Sequence, residues 1–141
     1  MPAFFFILFL FGYFTQTPSN ESLIELAKND LIVKLFLEKY PNASIVYSDY
    51  SAEYFPIFFL YKNNKNSIYD KNPIYVPFNE KVKSSDLTLR VEINTDHLIR
   101  GIDNWMVYCN NTREEFELST FSKTTKEKII EYIRENRCFR N

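Results

Sequence analysis

One histidine, two cysteines and a scatter of carboxylates are the residues of this chain best suited to chemistry. His97 has no second histidine to join it, so a histidine-rich zinc site is excluded. Cys109 and Cys138 are too far apart for a C-x-x-C metal or redox motif. His97 follows the turn-forming Asn94-Thr95-Asp96 and reads as a solvent-facing turn residue. Glu92, Asn94 and Asp96 alternate along one strand face, a pattern that could offer oxygen ligands, but no glycine-bearing loop of EF-hand length accompanies them. With Gly12 and Gly101 the only glycines, no glycine-rich phosphate cradle can form, and G-x-S-x-G is absent. A Cys–His nucleophile pair would need a reduced cysteine beside His97. The neighbouring acids Glu114 and Glu115 fall near a turn and read as a solvated surface. The expectation is therefore a non-catalytic chain, with no catalytic, metal-binding or cofactor-binding residue and no cofactor.

The two cysteines make an even pair, as a disulfide in an oxidising compartment requires. Cys109 closes WMVYC just before a turn, and Cys138 lies just past a C-terminal helix. A helix packed back on the sheet would bring the two together, so a Cys109–Cys138 bridge is expected; two free buried thiols in a cytoplasmic protein are the alternative. Three N-x-S/T sequons, at Asn20, Asn42 and Asn110, are candidate glycosylation sites. Residues 3–14, AFFFILFLFGYF, hold six of the fourteen phenylalanines and no charge. As a helix they would rise about 18 Å, short of the ~20 residues a bilayer core requires. They fit a secretory apolar region, cleaved or kept as an anchor, although no Lys or Arg precedes them and no clean A-x-A site follows. The alternative is a buried first strand or helix of a cytoplasmic domain.

At 141 residues the chain is expected to form one domain. Residues 1–16 are read as signal peptide or membrane anchor, 17–22 as a short linker, and 23–141 as a single α+β domain. Net charge is −1 and the pI is about 5.9, which does not suit a nucleic-acid-binding domain. The charge is nonetheless segregated: segments 62–85 and 123–141 each carry +3, whereas 15–61 carries −3 and 86–122 carries −4. If the basic pieces share a face, anionic headgroups or glycans suit it better than DNA.

The elements that must position these residues follow from periodicity. ESLIELAKNDLIVKLFLEKYP reads as helix, with Leu23, Ala27, Leu31 and Leu35 recurring near every fourth position. Asn29-Asp30 admits a break, because Asp can cap a second helix, and Pro41 ends the run. ASIVYSDY (43–50) and YFPIFFLYK (54–62) read as strands, the second apolar on both faces; Pro56 suits an edge or a strand start. The stretch 62–85 reads as a long basic loop. Within it PIYVPF is apolar between prolines, which makes Ile74, Tyr75, Val76 and Phe78 a candidate docking segment for a partner or for the chain's own sheet edge. LTLRVEIN (87–94) alternates cleanly and predicts a half-buried strand. Residues 97–109 would return antiparallel with a bulge at Gly101, Asn110-Asn111 would take positive φ, and REEFELST would form a short last strand. Thr124 and Glu127 read as a capping box ahead of an Ile129, Ile130, Ile133 stripe, with Arg134 and Arg137 in the last turn. Tyrosines 40, 47, 50, 54, 61, 69 and 75 cluster in one half, as core edges or as a binding face. The sum is an N-terminal helix, an antiparallel sheet of four to five strands and a C-terminal helix.

KNDLIVKLFLEKYPNASI, LRVEIN, WMVYC and KEKIIEYIRENRC together resemble small exported archaeal proteins of unknown function. The helix closing on EKYP-N-A before strands is similar to the helix-then-sheet plan of PepSY and cystatin-like domains. That resemblance covers roughly residues 29–138 and implies the α+β fold. It also implies a role in binding or restraining an exported peptidase, but it carries no inhibitory residue across. The functional expectation is a secreted or membrane-anchored, extracytoplasmic binding module. Its partners would be an unknown protein or envelope component and a membrane met through the apolar N-terminus; a PepSY-like modulator and an enzyme of unknown class are the alternatives.

Overall fold

A computed structural model of the protein describes residues 19–48, 53–63, 74–75, 85–96, 100–119 and 121–140, with backbone alone at 74–75. The fold is α+β. The apolar stretch 3–14 lies outside the described residues, and so do His97, Val76, Phe78, Tyr50 and Tyr69.

The N-terminal helical run is two helices, α1 (Asn20–Lys28) and α2 (Leu31–Lys39). α1 begins inside the stretch read as linker, because the Ser19 hydroxyl accepts from the Ser22 N–H at 3.2 Å. The break falls at Asn29-Asp30, and one carboxylate oxygen makes it: Asp30 Oδ2 accepts from the Ile32 and Val33 N–H groups at 3.0 and 3.2 Å. Breaking the helix resets its phase. Leu31, placed by a continuous fourfold stripe on the apolar side, is 58% exposed, while Ile32, Val33 and Phe36 form the buried face of α2.

Five antiparallel strands follow: β1 (Ser44–Tyr47), β2 (Tyr54–Tyr61), β4 (Leu87–Asn94), β5 (Gly101–Cys109) and β6 (Glu114–Leu118). A two-residue strand, β3 (Ile74–Tyr75), lies parallel to β1, giving the order β3-β1-β2-β4-β5-β6. Pro56 sits in β2, a central strand. It is tolerated there because the β1 ladder ends at Tyr47–Ile57, so the side on which Pro56 lacks an N–H has passed the regular pairing; its carbonyl still accepts from the Ser48 N–H at 3.4 Å. The β4–β5 bulge lies not at Gly101 but at Asp103, the extra residue where Glu92 pairs with Asn104 and Ile93 with Ile102. Gly101 opens the strand without positive φ. In the β5–β6 turn it is Arg113, the last residue of the connection, and not Asn110 or Asn111, that takes the left-handed conformation.

One sheet face carries Ile45, then Phe55, Ile57 and Phe59, then Leu87, Leu89, Val91 and Ile93, then Val107 and Cys109, all buried against the helices. Each such side chain contributes about 1.5–3 kcal/mol when removed from water. The C-terminal helix, α3 (Lys126–Arg134), is capped by Thr125 and not by Thr124: the Thr125 hydroxyl accepts from Lys128 N–H at 3.3 Å, while the Thr124 carbonyl is held in the loop by Ser122 Oγ. Ile129, Tyr132 and Ile133 bury; Ile130 is half-buried. Past α3, Asn136 takes φ 53° and a 3-10 turn (Arg137–Phe139) carries Cys138 onto the end of β5. Cys109 and Cys138 are joined by a disulfide, Cα–Cα 5.6 Å, and both are buried.

Candidate functional site

The face of the sheet turned away from the helices holds the candidate site. The register lays it out in rows. One row reads Ser44, Leu60, Thr88, Tyr108, Glu115 from β1 across to β6; the next reads Val46, Phe58, Arg90, Met106, Glu117; a third reads Pro56, Glu92, Asn104. The alternation that buries Leu87, Leu89, Val91 and Ile93 on one side puts Arg90 and Glu92 on the other. The face grades from apolar to polar. Val46, Phe58 and Leu60 form a small buried cluster apart from the main core, whereas Arg90, Glu92, Asn104 and Met106 are half-buried and Tyr108, Glu115 and Glu117 are exposed.

Arg90 is the centre of the polar half. Its guanidinium lies over the Phe58 ring, 5.6 Å from the centroid, and pairs with the Glu92 carboxylate two residues along the strand. Asn104 donates from Nδ2 to Glu117 Oε1 at 3.3 Å. Two polar atoms here are shielded from water without a hydrogen-bond partner: Arg90 Nε, a donor, and Asn104 Oδ1, an acceptor. Such groups cost about 1–3 kcal/mol each when left unmade. The face thus presents a guanidinium, carboxylates, a thioether and a phenol ring.

The other residues singled out by the sequence lie elsewhere. Cys109 and Cys138 are bonded to each other, so neither can serve as a thiolate nucleophile in this state. Asn94 Nδ2 donates to Asp103 Oδ2 at 3.1 Å and Asn94 Oδ1 accepts from Asp96 N–H at 2.8 Å, so together with the Arg90–Glu92 pair the Glu92, Asn94, Asp96 set is engaged internally. Among the described residues no group of three His, Cys, Asp or Glu side chains could hold a metal ion. Asn20, Asn42 and Asn110 are all exposed. Ile74 and Tyr75 occupy β3, on the sheet edge beside β1. Glu114 and Glu115 are exposed at the start of β6.

Tyr40, Tyr47 and Tyr61 belong to the helix-covered side, not to an open binding face. Tyr40 stacks between Phe36 and Tyr61, with centroids at 5.0 and 4.5 Å, and donates to Asn136 Oδ1 at 2.7 Å. Burial, aided by the neighbouring Tyr61 and Tyr132 phenols, pushes the Tyr40 phenol far above its ordinary value. Burial likewise raises Tyr132. At the surface, Arg137 donates to the Glu135 carboxylate at 2.6 Å and holds it below the usual carboxylate range. These perturbed groups brace the C-terminus and are not on the open face.

The cross-strand grouping of Arg90, Phe58, Asn104, Met106 and Glu117 was not visible in the sequence. Alternation gives the face, but only the register gives the neighbours, and the Asp103 bulge shifts them by one. Compared with known protein families, curated proteins and solved structures, the chain matches none.

Proposed function

We propose that this chain is a non-catalytic, extracytoplasmic binding domain that recognises a protein or envelope partner through the β4–β6 half of its open sheet face. The observation that carries the reading is the Arg90–Asn104 neighbourhood: a half-buried strip of Arg90, Asn104 and Met106 edged by the exposed Tyr108, Glu115 and Glu117, whose charges and phenol suit a polar protein surface. The buried Cys109–Cys138 disulfide fits an oxidising compartment, and the charge-free stretch 3–14 fits export or anchoring. No described helix is long and apolar enough to cross a membrane. The three exposed sequon asparagines are open to glycosylation in a secretory host.

The test has two arms. Cells expressing the tagged chain are fractionated; recovery of all of it at full length from the soluble cytoplasm ends the export reading. The envelope fraction is then captured on the native chain and on a Tyr108→Ser, Glu117→Lys variant, which alters exposed residues of the open face only. A partner held by the native chain and released by the variant supports recognition there; equal capture by both removes it.

A further inference from the structure

The two most exposed large apolar side chains among the described residues, Leu31 at 58% and Phe121 at 96%, stand at one end of the molecule. Two independent connections place them together. Asp30, next to Leu31, accepts at Oδ2 from Trp105 Nε1 at 2.9 Å, and Trp105 pairs across the ladder with Leu118, three residues before Phe121. Meanwhile α2 and α3, nine residues each, pack together with their C-terminal ends tied by Tyr40 and Asn136, so their N-terminal ends share the opposite pole. Leu31 opens α2, and the loop bearing Phe121 leads into α3.

Phe121 is held out by a closed turn. Ser122 N–H donates to the Ser119 carbonyl at 3.3 Å, Ser119 N–H donates to Ser122 Oγ at 3.0 Å, and Ser122 Oγ donates to the Ser119 carbonyl at 3.2 Å. A phenylalanine presented in this way is set against the hydrophobic effect by a preformed backbone. Exposed lysines lie near the two prongs in sequence: Lys34, one turn into α2, and Lys123, Lys126 and Lys128 after Phe121, against the acids Asp30, beside Leu31, and Glu127.

We infer that this pole is a membrane-contact site, with Phe121 and Leu31 entering the headgroup–acyl boundary of a bilayer and the lysines meeting anionic headgroups. Two prongs separated by polar residues suit a fluid surface that closes around each of them, and the lysines give charge complementarity to anionic lipid. Neither the apolar segment 3–14 nor the open sheet face is needed for this contact.

The test places a reporter at the tip. Phe121→Trp alters an exposed residue, so the fold is kept; difference spectra against the parent chain remove the Trp105 signal. The full-length protein is mixed with phosphatidylcholine vesicles, with or without phosphatidylglycerol, and with brominated acyl chains. The expected result is a blue shift and bromine quenching at position 121 on anionic vesicles. Raised salt should weaken the signal, and changing Lys123, Lys126 and Lys128 to Gln should lower its apparent affinity roughly tenfold or more. Solvent-like emission on every vesicle, including those to which the chain is bound through its N-terminal segment, would overturn the inference and leave the prongs to a protein partner. An equal shift on neutral vesicles would overturn the anionic preference.

Discussion

Asp30 serves three parts of this fold at once. Its Oδ2 takes the Ile32 and Val33 amides and the Trp105 indole, so one carboxylate oxygen caps α2, fixes the helix break and ties the helical layer to β5. Asp30→Ala removes a cap worth about 1 kcal/mol and a charge-assisted bond worth about 1.5–3 kcal/mol. The expected loss is about 2–4 kcal/mol by urea denaturation, with Asp30→Asn recovering part of it; a change below about 0.5 kcal/mol would show that the cap and the indole bond are idle. Tyr40 gives a second test, in pH. Its phenol is raised in the folded state, so it adds stability that is fully present below its unfolded value of about 10 and is lost as pH rises through the folded value. Stability should therefore fall in alkali beyond pH about 10, and Tyr40→Phe should flatten that limb while costing about 1 kcal/mol at neutral pH through the lost Asn136 bond.

The elements hold because the disulfide and the C-terminal turn close what the sheet begins. The bridge spans 29 residues and fastens the 3-10 turn after α3 to the end of β5. Changing Cys109 and Cys138 together to Ala should cost roughly 3–4 kcal/mol in the chain-entropy view, read as a drop in the denaturation midpoint. An unchanged midpoint would mean that the reduced chain is already held by Ile129, Tyr132 and Ile133. Phe58→Ala tests the other face, where the ring joins Val46 and Leu60 and lies under Arg90; a loss of about 3–5 kcal/mol is expected by the same measurement. Much of this was legible in the sequence. The alternation of LTLRVEIN gave β4 to the residue, the Asp after Asn29 gave the break, and the cysteine pair gave the bridge. What failed did so for local reasons. The cap read at Thr124 falls one residue later, at its equally suited neighbour Thr125, and a broken helix restarted its phase at Ile32. The Asp30–Trp105 bond joins residues 75 apart, and no spacing rule reaches that far.

As a whole the molecule is polarised. One sheet face is sealed by three helices; the other runs from the buried Val46, Phe58 and Leu60 to an open polar strip on β4–β6; and one pole carries two apolar prongs with lysines near them in sequence. The strip at Arg90, Asn104 and Met106 is where the proposed recognition occurs. The chain contains two methionines, Met1 and Met106, and Met106 is half-buried on that strip between Arg90 and Glu117. Photo-methionine therefore labels the proposed surface with little else. Cells expressing the tagged chain are fed photo-methionine, irradiated, and the purified protein is resolved by mass after denaturation. The expected result is an irradiation-dependent adduct of defined mass that disappears in the Met106→Leu chain. No adduct, or one that persists unchanged in Met106→Leu, would contradict recognition through the open face.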